Sequence, residues 1–367
     1  MQSKKKLKYD QLKIWLLISN RWNSAISEYA LSLARGLAKI GYSTVLTSKK
    51  SSPVARRAEA MGISLMPVDH FSISQLKNLL RIKGAIAPDV IVTFGGPESA
   101  LCQLYLGQGG AKVVRFRGDN RDLTPPHPVK RIVQGMGIDA VVFPSKMLRS
   151  QYGEQRSWVT PLGVDGAKFR LIPEMSKGER PEVVIIGRLD PVKGHGGFFP
   201  IFKDILLKWG EKTSLPILKI VGQEANLLVE SVKKMAEQAG LQESRDFIIE
   251  SRRFEQIENL MNKASLGVIP SIDSEVICRV AEEFLMCGTR ILVNTVGSLP
   301  EALFEGGGKA MKISEMQHHI PLIISLIKDG FRNCPEDREK IASEARRRYC
   351  LHQMGKSFKQ GLIACVN

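Results

Sequence analysis

The chain has 367 residues and a formal net charge of +16; 43% of its residues are hydrophobic and 25% are charged. These values are typical of a globular protein that is long enough for two cores. No apolar run reaches the roughly 20 residues of a membrane-spanning helix, which argues against a transmembrane protein. The six cysteines form no CxxC pair and do not cluster with the six histidines, which argues against a disulfide framework and a zinc site.

Short apolar runs alternate with helical patterns in the first half of the chain. The run Ile14–Ile18 follows several lysines, but it is too short for the core of a signal peptide and predicts a buried strand over Lys13–Ser19. Ser27–Ile40 has apolar residues at helical spacing and is followed by Gly41, a residue type that commonly ends helices. Further strands are predicted at Thr44–Thr47, Val90–Phe94, Lys112–Phe116 and Ala140–Phe143. This β-α-β pattern predicts a parallel sheet covered by helices.

The pattern stops at Phe169–Pro181, whose prolines and polar residues predict an interdomain linker. It then restarts, with strands predicted at Val183–Ile186, Ile217–Val221, Phe247–Ile249, Leu266–Ile269 and Ile291–Asn294. Helices are predicted at Ala225–Ala239, Arg279–Cys287 and Glu336–Leu362. Two such domains would form a cleft, because parallel sheets bind ligands at the carboxyl ends of their strands.

Two cations follow the strand Val183–Ile186. Arg188 and Lys193 lie five positions apart between Gly187 and Gly194. Gly187 permits a turn at the strand end, and Gly194 can precede a helix whose first amides face the same ligand. An arginine fork, a lysine charge and helix amides together suit a diphosphate. Ordinary solvated loops also place basic residues beside glycine, so the pattern alone leaves both interpretations open.

Two glutamates follow the strand Leu266–Ile269. Glu275 precedes the predicted helix, and Glu283 lies eight positions further on, inside it. A carboxylate can accept two hydrogen bonds from a vicinal diol, so one glutamate would hold a ribose and the other the hydroxyls of a sugar. Alternatively, Glu275 caps the helix, where negative charge is favourable, while Glu282 and Glu283 are surface residues. Spacing does not decide between these interpretations.

A set of motifs follows in a fixed order through the second half of the chain: Gly187-Arg188 with Lys193-Gly194, Pro270-Ser271, Glu275 with Glu283, Cys287-Gly288-Thr289 and Gly297-Ser298-Leu299-Pro300-Glu301. This order resembles the donor domain of the family 4 (group 1) retaining glycosyltransferases, which have the two-domain GT-B fold. The first half resembles the family more weakly, at Leu33–Leu37, Pro144-Ser145 and Pro161–Asp165 with Phe169.

The resemblance implies an α/β protein with two Rossmann-like, doubly wound domains that face a central cleft. Residues 1–170 would bind the acceptor, residues 171–345 would bind the donor, and a C-terminal helix at 346–367 would return to the first domain. It also implies retention of the anomeric configuration and a donor sugar linked to UDP, GDP or ADP, with no metal and no cofactor. The leaving phosphate would help to deprotonate the acceptor.

The resemblance also implies residue roles. Arg188 and Lys193 would bind the donor diphosphate and stabilise its charge in the transition state. Glu275 would contact the transferred sugar, and Glu283 would contact the nucleotide ribose. The remaining residues expected to line the donor site are Gly187, Gly194, Ser271, Val276, Ile277 and Cys278.

This chain departs from the family pattern in several places. Val276-Ile277-Cys278 replace the usual Gly/Ser-Phe-Gly, whose glycines restrict the backbone less. Arg290 replaces the proline that usually follows the Cys-Gly-Thr motif. The glycine-rich loop after the first strand is replaced by Asn20–Ser24, and the His-Asp pair of the acceptor side is not evident around Arg115–Asp122. Asp119 is a candidate catalytic residue in that region; alternatively it forms a local turn.

Two weaker candidates have simpler interpretations. Gly95-Gly96-Pro97-Glu98 ends a strand and is interpreted as a turn. His195 follows Lys193-Gly194 and is interpreted as an exposed residue at the start of a helix.

The positive charge is concentrated in the first half of the chain. Residues 1–170 carry 26 Lys and Arg against 11 Asp and Glu, whereas residues 171–367 carry 27 against 26. This asymmetry predicts contact with an anionic membrane or partner, with a solvated basic face as the alternative. Within this half, Phe71–Ile86 interleaves apolar residues with Lys77, Arg81 and Lys83; it would either lie on a membrane or cover the sheet with a basic outer face.

We therefore expect a glycosyltransferase that acts on a glycan or lipid-linked acceptor in the synthesis of lipopolysaccharide or another cell-surface polysaccharide. Its expected location is the cytoplasm or the inner face of the cytoplasmic membrane. The alternatives are a nucleotide-sugar epimerase or an inverting transferase on the same fold and, from another class, a basic nucleic-acid-binding protein. Binding of nucleic acid is not expected, because its sequence signatures are absent and the basic half has few aromatic residues for base stacking.

Overall fold

The computed structural model describes residues 9–119, 136–152, 156–175, 177–210, 214–251, 256–273 and 275–366. The chain divides into two compact units. The first contains Met1–Gly163 and Tyr349–Asn367, and the second contains Val164–Arg348. The predicted domain boundaries, after residues 170 and 345, lie a few residues from those of the units.

The first unit contains a six-stranded parallel sheet with the order β2-β1-β3-β4-β5-β6. Its strands are β1 (Lys13–Ile18), β2 (Ser43–Ser48), β3 (Val90–Thr93), β4 (Lys112–Phe116), β5 (Ala140–Phe143) and β6 (Ser157–Val159). Its helices up to this point of the chain are α1 (Ala25–Lys39), α2 (Pro53–Ala60), α3 (Leu76–Ile86), α4 (Gly96–Leu101) and α5 (Lys146–Tyr152).

The second unit contains another six-stranded parallel sheet, with the order β12-β11-β10-β7-β8-β9. Its strands are β7 (Glu182–Ile186), β8 (Ile217–Val221), β9 (Phe247–Glu250), β10 (Leu266–Ile269), β11 (Ile291–Val293) and β12 (Gly308–Ala310). Its helices are α6 (His195–Lys208), α7 (Val229–Gln238), α8 (Ile257–Lys263), α9 (Arg279–Met286), α10 (Ile313–Met316), α11 (Ile320–Arg332) and α12 (Pro335–Tyr349).

The strand order of the second sheet reverses between β7 and β10. These neighbouring strands are parallel, so their carboxyl ends lie at the same edge of the sheet. Strand β8 lies on the other side of β7, and β11 lies on the other side of β10. Loops that leave a parallel sheet at such a reversal diverge and leave a crevice that commonly binds ligands. This position places the segments after β7 and β10 side by side.

The last helix, α13 (Leu351–Cys365), belongs to the first unit and packs against α1. Glycines permit this approach: a Cβ atom on Gly36 would lie 2.6 Å from the carbonyl oxygen of Leu351, and one on Gly355 would lie 2.3 Å from the carbonyl oxygen of Gly36. On the same helix, the Phe358 ring contacts Trp158 of β6 at a centroid distance of 5.4 Å. The end of the chain therefore completes the core of the first unit.

Several local predictions need correction. The predicted helix Glu336–Leu362 is two helices, because Cys350 adopts an extended conformation and its side chain accepts from the amide of Gln353.

Helix α3 buries Leu79 and Ile82 in the core of the first unit, as expected for a helix that covers the sheet. None of the helices in the described ranges is long and apolar enough to cross a membrane.

Candidate donor-sugar site

Lys193 and Glu275 meet at the edge of the second sheet. The Lys193 Nζ donates to Glu275 Oε1 at 2.5 Å, and the Ser271 hydroxyl donates to the same oxygen at 2.6 Å. The Glu275 side chain is only 8% exposed. Glu275 does not cap α9, because the N-cap residue of that helix is Cys278. Lys193, Ser271 and Glu275 were predicted to share one site, and the structure brings them together.

The loops after β7 and β10 are held against each other by their backbones. The amide of Ile272 donates to the carbonyl of Val192 at 2.9 Å. Gly194 has a φ of +69°, and a Cβ atom there would lie 2.0 Å from the carbonyl oxygen of Pro270. A residue with a side chain at this position would force the loops apart, so Gly194 is required for the contact between Lys193 and Glu275.

The Gly297-Ser298 segment holds the backbone of Glu275 from the opposite side. The amide of Ser298 donates to the Glu275 carbonyl at 2.8 Å, and its hydroxyl lies 3.0 Å from that carbonyl and 2.8 Å from the Val276 carbonyl. Gly297 has a φ of +58°, and a Cβ atom there would lie 2.1 Å from the Glu275 carbonyl oxygen. The motif that begins at Gly297-Ser298 therefore holds the backbone of Glu275 in place, a role that the sequence did not predict.

Arg188, on the same loop as Lys193, is an exposed cation. Its side chain is 64% exposed, and its guanidinium lies 3.8 Å from the Asp190 carboxylate. Asp190 is buried and accepts from the amide of Val192 and the side chain of Asn226. Gly222, which follows β8, lets this loop approach, because a Cβ atom there would lie 1.7 Å from the carbonyl oxygen of Gly187. Asp190 therefore holds the loop from which the exposed Arg188 side chain extends.

Glu283 lies in α9 and is buried, with Arg279 Nε at 3.4 Å from its Oε1. The neighbouring Glu282 is also buried, so the interpretation of both as surface residues is wrong. Burial, and secondarily the charge of Glu283, raises the pKa of Glu282 to about 8. Its Oε2 has no hydrogen-bond partner among the described residues. Glu282 therefore favours its neutral form at pH 7.

His195 is buried, contrary to the expectation of an exposed residue. It is the first residue of α6, and its Nε2 lies 3.2 Å from the Arg188 carbonyl oxygen. Burial lowers the pKa of this imidazole, which favours the neutral ring. His195 therefore fixes the backbone of Arg188 and does not extend into solvent.

The residues Val276, Ile277 and Cys278 are all buried. Burial raises the pKa of the Cys278 thiol well above its ordinary value, and its Sγ lies 3.2 Å from the Ser298 hydroxyl. Residues 276–278 are therefore apolar and packed. The Gly/Ser-Phe-Gly segment that the family usually has at this position would restrict the backbone less. Among the described residues, no group of three or more His, Cys, Asp or Glu could hold a metal ion.

The acceptor-side candidates lie in the first unit. Asp119 follows β4 and is half-buried, and Asn120, Arg121 and Asp122 lie outside the described residues. Its catalytic role stays a prediction. The predicted turn at Gly95–Glu98 is instead the start of α4, and Glu98 is fully buried.

The buried carboxyl of Glu98 joins two elements of the first unit. Its Oε1 accepts from the Ser19 amide at 3.0 Å, and burial raises its pKa. Glu98 thus fixes the end of β1 to α4.

Residues 171–348 match the family model for glycosyl transferases group 1. The match to group 1 glycosyltransferases lies within the second unit, and it includes the segments that carry Arg188, Lys193, Glu275 and Glu283. No curated protein sequence matches the chain.

Solved structures with the same fold include several glycosyltransferases. A glycosyltransferase from Rickettsia africae has a TM-score of 0.80 at 14% identity, covering 96% of this chain and 98% of its own. Anabaena HepE in complex with UDP and glucose has a TM-score of 0.73 at 15% identity, covering 96% and 100%. The lipopolysaccharide outer core galactosyltransferase WaaB has a TM-score of 0.66 at 13% identity, covering 96% and 99%. The predicted α/β fold with two Rossmann-like domains, the GT-B fold, is confirmed.

Proposed function

We propose that this protein is a glycosyltransferase that uses a nucleotide-diphosphate sugar and retains the anomeric configuration. One observation carries the proposal: Lys193, Ser271 and Glu275 converge at the strand-order reversal of the second sheet. The match of residues 171–348 to group 1 glycosyltransferases supports it. The complex of HepE with UDP and glucose supports a nucleotide sugar as the donor.

In this proposal, Arg188 and Lys193 offset the charge of the donor diphosphate, and no metal ion is needed. The exposed Arg188 guanidinium can form two parallel hydrogen bonds with phosphate oxygens. Lys193 has three N–H donors, so it can donate to Glu275 and to a phosphate at the same time. As the bond to the sugar breaks, negative charge grows on the leaving phosphate, and these fixed cations stabilise it.

Glu275 would orient the transferred sugar through its hydroxyls, and Glu283 would bind the ribose. The leaving phosphate would then accept the acceptor proton on the face from which it departs, which retains the anomeric configuration. The donor residues have complementary tasks: the cations stabilise the leaving group, and the carboxylates fix the sugar and ribose.

We also propose a glycan or lipid-linked acceptor of cell-surface polysaccharide synthesis, and peripheral contact of the first unit with the anionic inner leaflet. The concentration of basic residues in 1–170 supports this contact, because each Lys or Arg near such a surface contributes about 1 kcal/mol. The likeness to WaaB is consistent with an acceptor of this class.

The test is a thermal-shift screen of UDP, GDP and ADP sugars, followed by NMR of the product. A donor at 100 times its dissociation constant should raise stability by about 2.7 kcal/mol. The anomeric proton of the product should report the same configuration as the donor. An inverted product would refute retention, and absence of binding to all the nucleotide sugars would refute the proposed donor class.

A further inference from the structure

The loop after β1 leaves the first sheet at a reversal of its strand order. Strand β1 pairs with β2 on one side and with β3 on the other, and all three strands are parallel. The loops that follow β1 and β3 therefore start at the same edge of the sheet and diverge, which creates the crevice where such sheets commonly bind ligands. Residues 19–24 lie at this edge of the first unit.

Trp22 lies in this loop with its side chain in solvent. It is 74% exposed, whereas Trp15, Trp158 and Trp209 are buried. Single exposed apolar side chains are common on protein surfaces, so exposure alone indicates no function. Trp22 is distinguished by its position at the strand-order reversal and by the support of its backbone.

Side chains hold the backbone of Trp22 on both sides. Its amide donates to Asn20 Oδ1 at 3.1 Å, and its carbonyl accepts from the Ser27 hydroxyl at 2.7 Å. The Asn20 Nδ2 also donates to the Ser24 hydroxyl at 2.7 Å, and Ser24 is the N-cap residue of α1. The loop is thereby anchored to α1, so only the two torsions of the indole side chain have to be fixed when a ligand binds.

The start of the loop is anchored to α4. The Ser19 amide donates to the buried carboxyl of Glu98 at 3.0 Å. Gly95 permits this contact, because a Cβ atom there would lie 3.0 Å from both the Ser19 hydroxyl oxygen and Glu98 Oε1. The loop that carries Trp22 is therefore held at both of its ends.

Polar side chains flank the exposed indole. Arg21 and Asn23 are exposed, and among the described residues none forms a hydrogen bond or an ion pair with either side chain. A pyranose ring has an apolar face of C–H groups and a rim of hydroxyls. The indole can cover such a face, while the guanidinium and the amide beside it can bond to the hydroxyls.

We propose that Trp22 is the platform on which the sugar ring of the acceptor stacks, with Arg21 and Asn23 bonding to its hydroxyls. The inference rests on the proposed sugar transfer and adds a residue that selects the acceptor, because only an acceptor with a pyranose ring can cover the indole in this way. The glycine-rich loop that the family usually has after the first strand offers no side chain for stacking. The platform is therefore a feature of this chain.

The surroundings of Trp22 favour a sugar over a membrane. A segment that inserts into the membrane interface exposes several apolar side chains together. The neighbours of Trp22 in the loop are instead polar, with Asn20 and Arg21 before it and Asn23 and Ser24 after it. One aromatic face among amides, a hydroxyl and a guanidinium matches the mixed surface of a sugar ring.

The first test uses the fluorescence of the wild-type protein. Because the other three tryptophans are buried, acrylamide should quench chiefly Trp22. The methyl pyranosides of glucose, galactose, mannose and N-acetylglucosamine are the probes. At least one of them should protect Trp22 from quenching in a saturable manner, whereas sorbitol, an open-chain polyol, should not. The assay contains no nucleotide sugar, so a failure of donor binding and a failure of Trp22 to bind a sugar ring are separate results.

The second test measures binding of the protective pyranoside to variants by saturation-transfer NMR. Trp22→Leu should weaken the apparent dissociation constant about tenfold, the effect expected when an aromatic stacking contact is lost. Trp22→Phe keeps an aromatic face and should retain most of the affinity. Ile73→Ala is the matched control, because Ile73 is 67% exposed in the same unit; it should bind as the wild type does.

Several results would overturn the proposal. These are no protection by any pyranoside, equal protection by sorbitol, or equal binding by Trp22→Leu. Protection by vesicles of phosphatidylglycerol and phosphatidylethanolamine, without protection by the pyranosides, would assign the indole to a membrane surface. Protection by oligothymidine alone would assign it to base stacking.

Discussion

Lys193 and Glu275 are 82 residues apart in the chain, yet the ammonium of one donates to the carboxylate of the other at 2.5 Å. Each comes from a different loop at the strand-order reversal of the second sheet. Neither loop alone contains both members of this pair. The positions of Gly194 and Ser298 explain how the two loops keep these side chains in contact.

Removal of the Glu275 charge should impair transfer more than folding. Glu275→Gln keeps the size of the side chain but weakens its hydrogen bonds with Lys193 and with sugar hydroxyls. We expect kcat to fall by about 10²- to 10³-fold, the range found when a preorganised electrostatic contact is lost. Steady-state kinetics and circular dichroism check this prediction. Glu230→Gln, at a side chain that is 83% exposed, is the control and should retain activity; a fully active Glu275→Gln would contradict the assigned role.

Gly194→Ala should destabilise the second unit more than an ordinary change at a positive-φ glycine. The new Cβ would lie 2.0 Å from the Pro270 carbonyl oxygen, so the loop must move. Gly306→Ala in the same unit is the control, because its φ is +83° but no atom lies within 4 Å of the new Cβ. We expect the control to cost about 1 kcal/mol and Gly194→Ala at least ~2 kcal/mol more. Urea unfolding of both variants measures the difference, and equal costs would contradict the close contact.

Ser298→Ala tests the support of the Glu275 backbone. The hydroxyl lies within 3.0 Å of the Glu275 and Val276 carbonyl oxygens, and its loss should cost about 1 kcal/mol of stability. Because Glu275 would then be held less firmly, kcat should fall while the KM for the donor changes little. Ser298→Thr keeps a hydroxyl and should restore much of kcat. Unchanged kcat in Ser298→Ala would show that the Ser298 amide is sufficient.

Glu282 should make stability decrease as pH rises. Its pKa is raised to about 8 in the folded protein from an ordinary value of 4.5, so the folded state holds a proton that the unfolded state has released between these values. Its stabilising contribution is complete below pH 4.5 and is lost as pH rises through about 8. Glu282→Gln cannot ionise and should be more stable than wild type by more than ~1 kcal/mol at pH 9. Urea unfolding at several pH values tests this, and a pH-independent difference would contradict it.

The basic face of α3 provides a test of membrane contact. Lys77 and Arg81 are exposed, whereas Lys83 is half-buried and donates to the Gln108 carbonyl, so the informative variant changes only the first two. Lys77→Glu with Arg81→Glu should weaken binding to anionic liposomes at least about tenfold. Lys208→Glu with Lys234→Glu, on exposed positions of the second unit, is the control. Equal sedimentation of both variants would argue against contact through α3.

Periodicity and strand-end residues predicted most of the fold, because buried parallel strands are continuous apolar runs. The edge strands β6 and β12 were missed. Ser157–Val159 and Gly308–Ala310 are only three residues long, and the second contains no large apolar residue. Such strands are specified by pairing with a neighbour, a tertiary contact that local composition does not report.

The order of the motifs predicted that Lys193, Ser271 and Glu275 lie together, as they do, but it did not predict the environment of the candidate site. His195 was expected to be exposed, and Glu282 was a surface residue in one of the two interpretations left open, yet both are buried. Whether a polar residue in a helix is buried can be determined only when the packing partners of that helix are known. The support of Glu275 by Ser298 depends on a hydrogen bond from the Ser298 hydroxyl to the Glu275 carbonyl across 23 positions, which residue type alone does not reveal.

The packing of α13 against α1 has a consequence for synthesis of the chain. The second unit is continuous from Val164 to Arg348, so all its strands are available once that stretch has been made. The first unit begins earlier but needs Gly355 beside Gly36 and Phe358 beside Trp158 to close its core. During translation, the first unit therefore finishes folding only after α13 has left the ribosome, and until then the face of α1 that packs against α13 is uncovered.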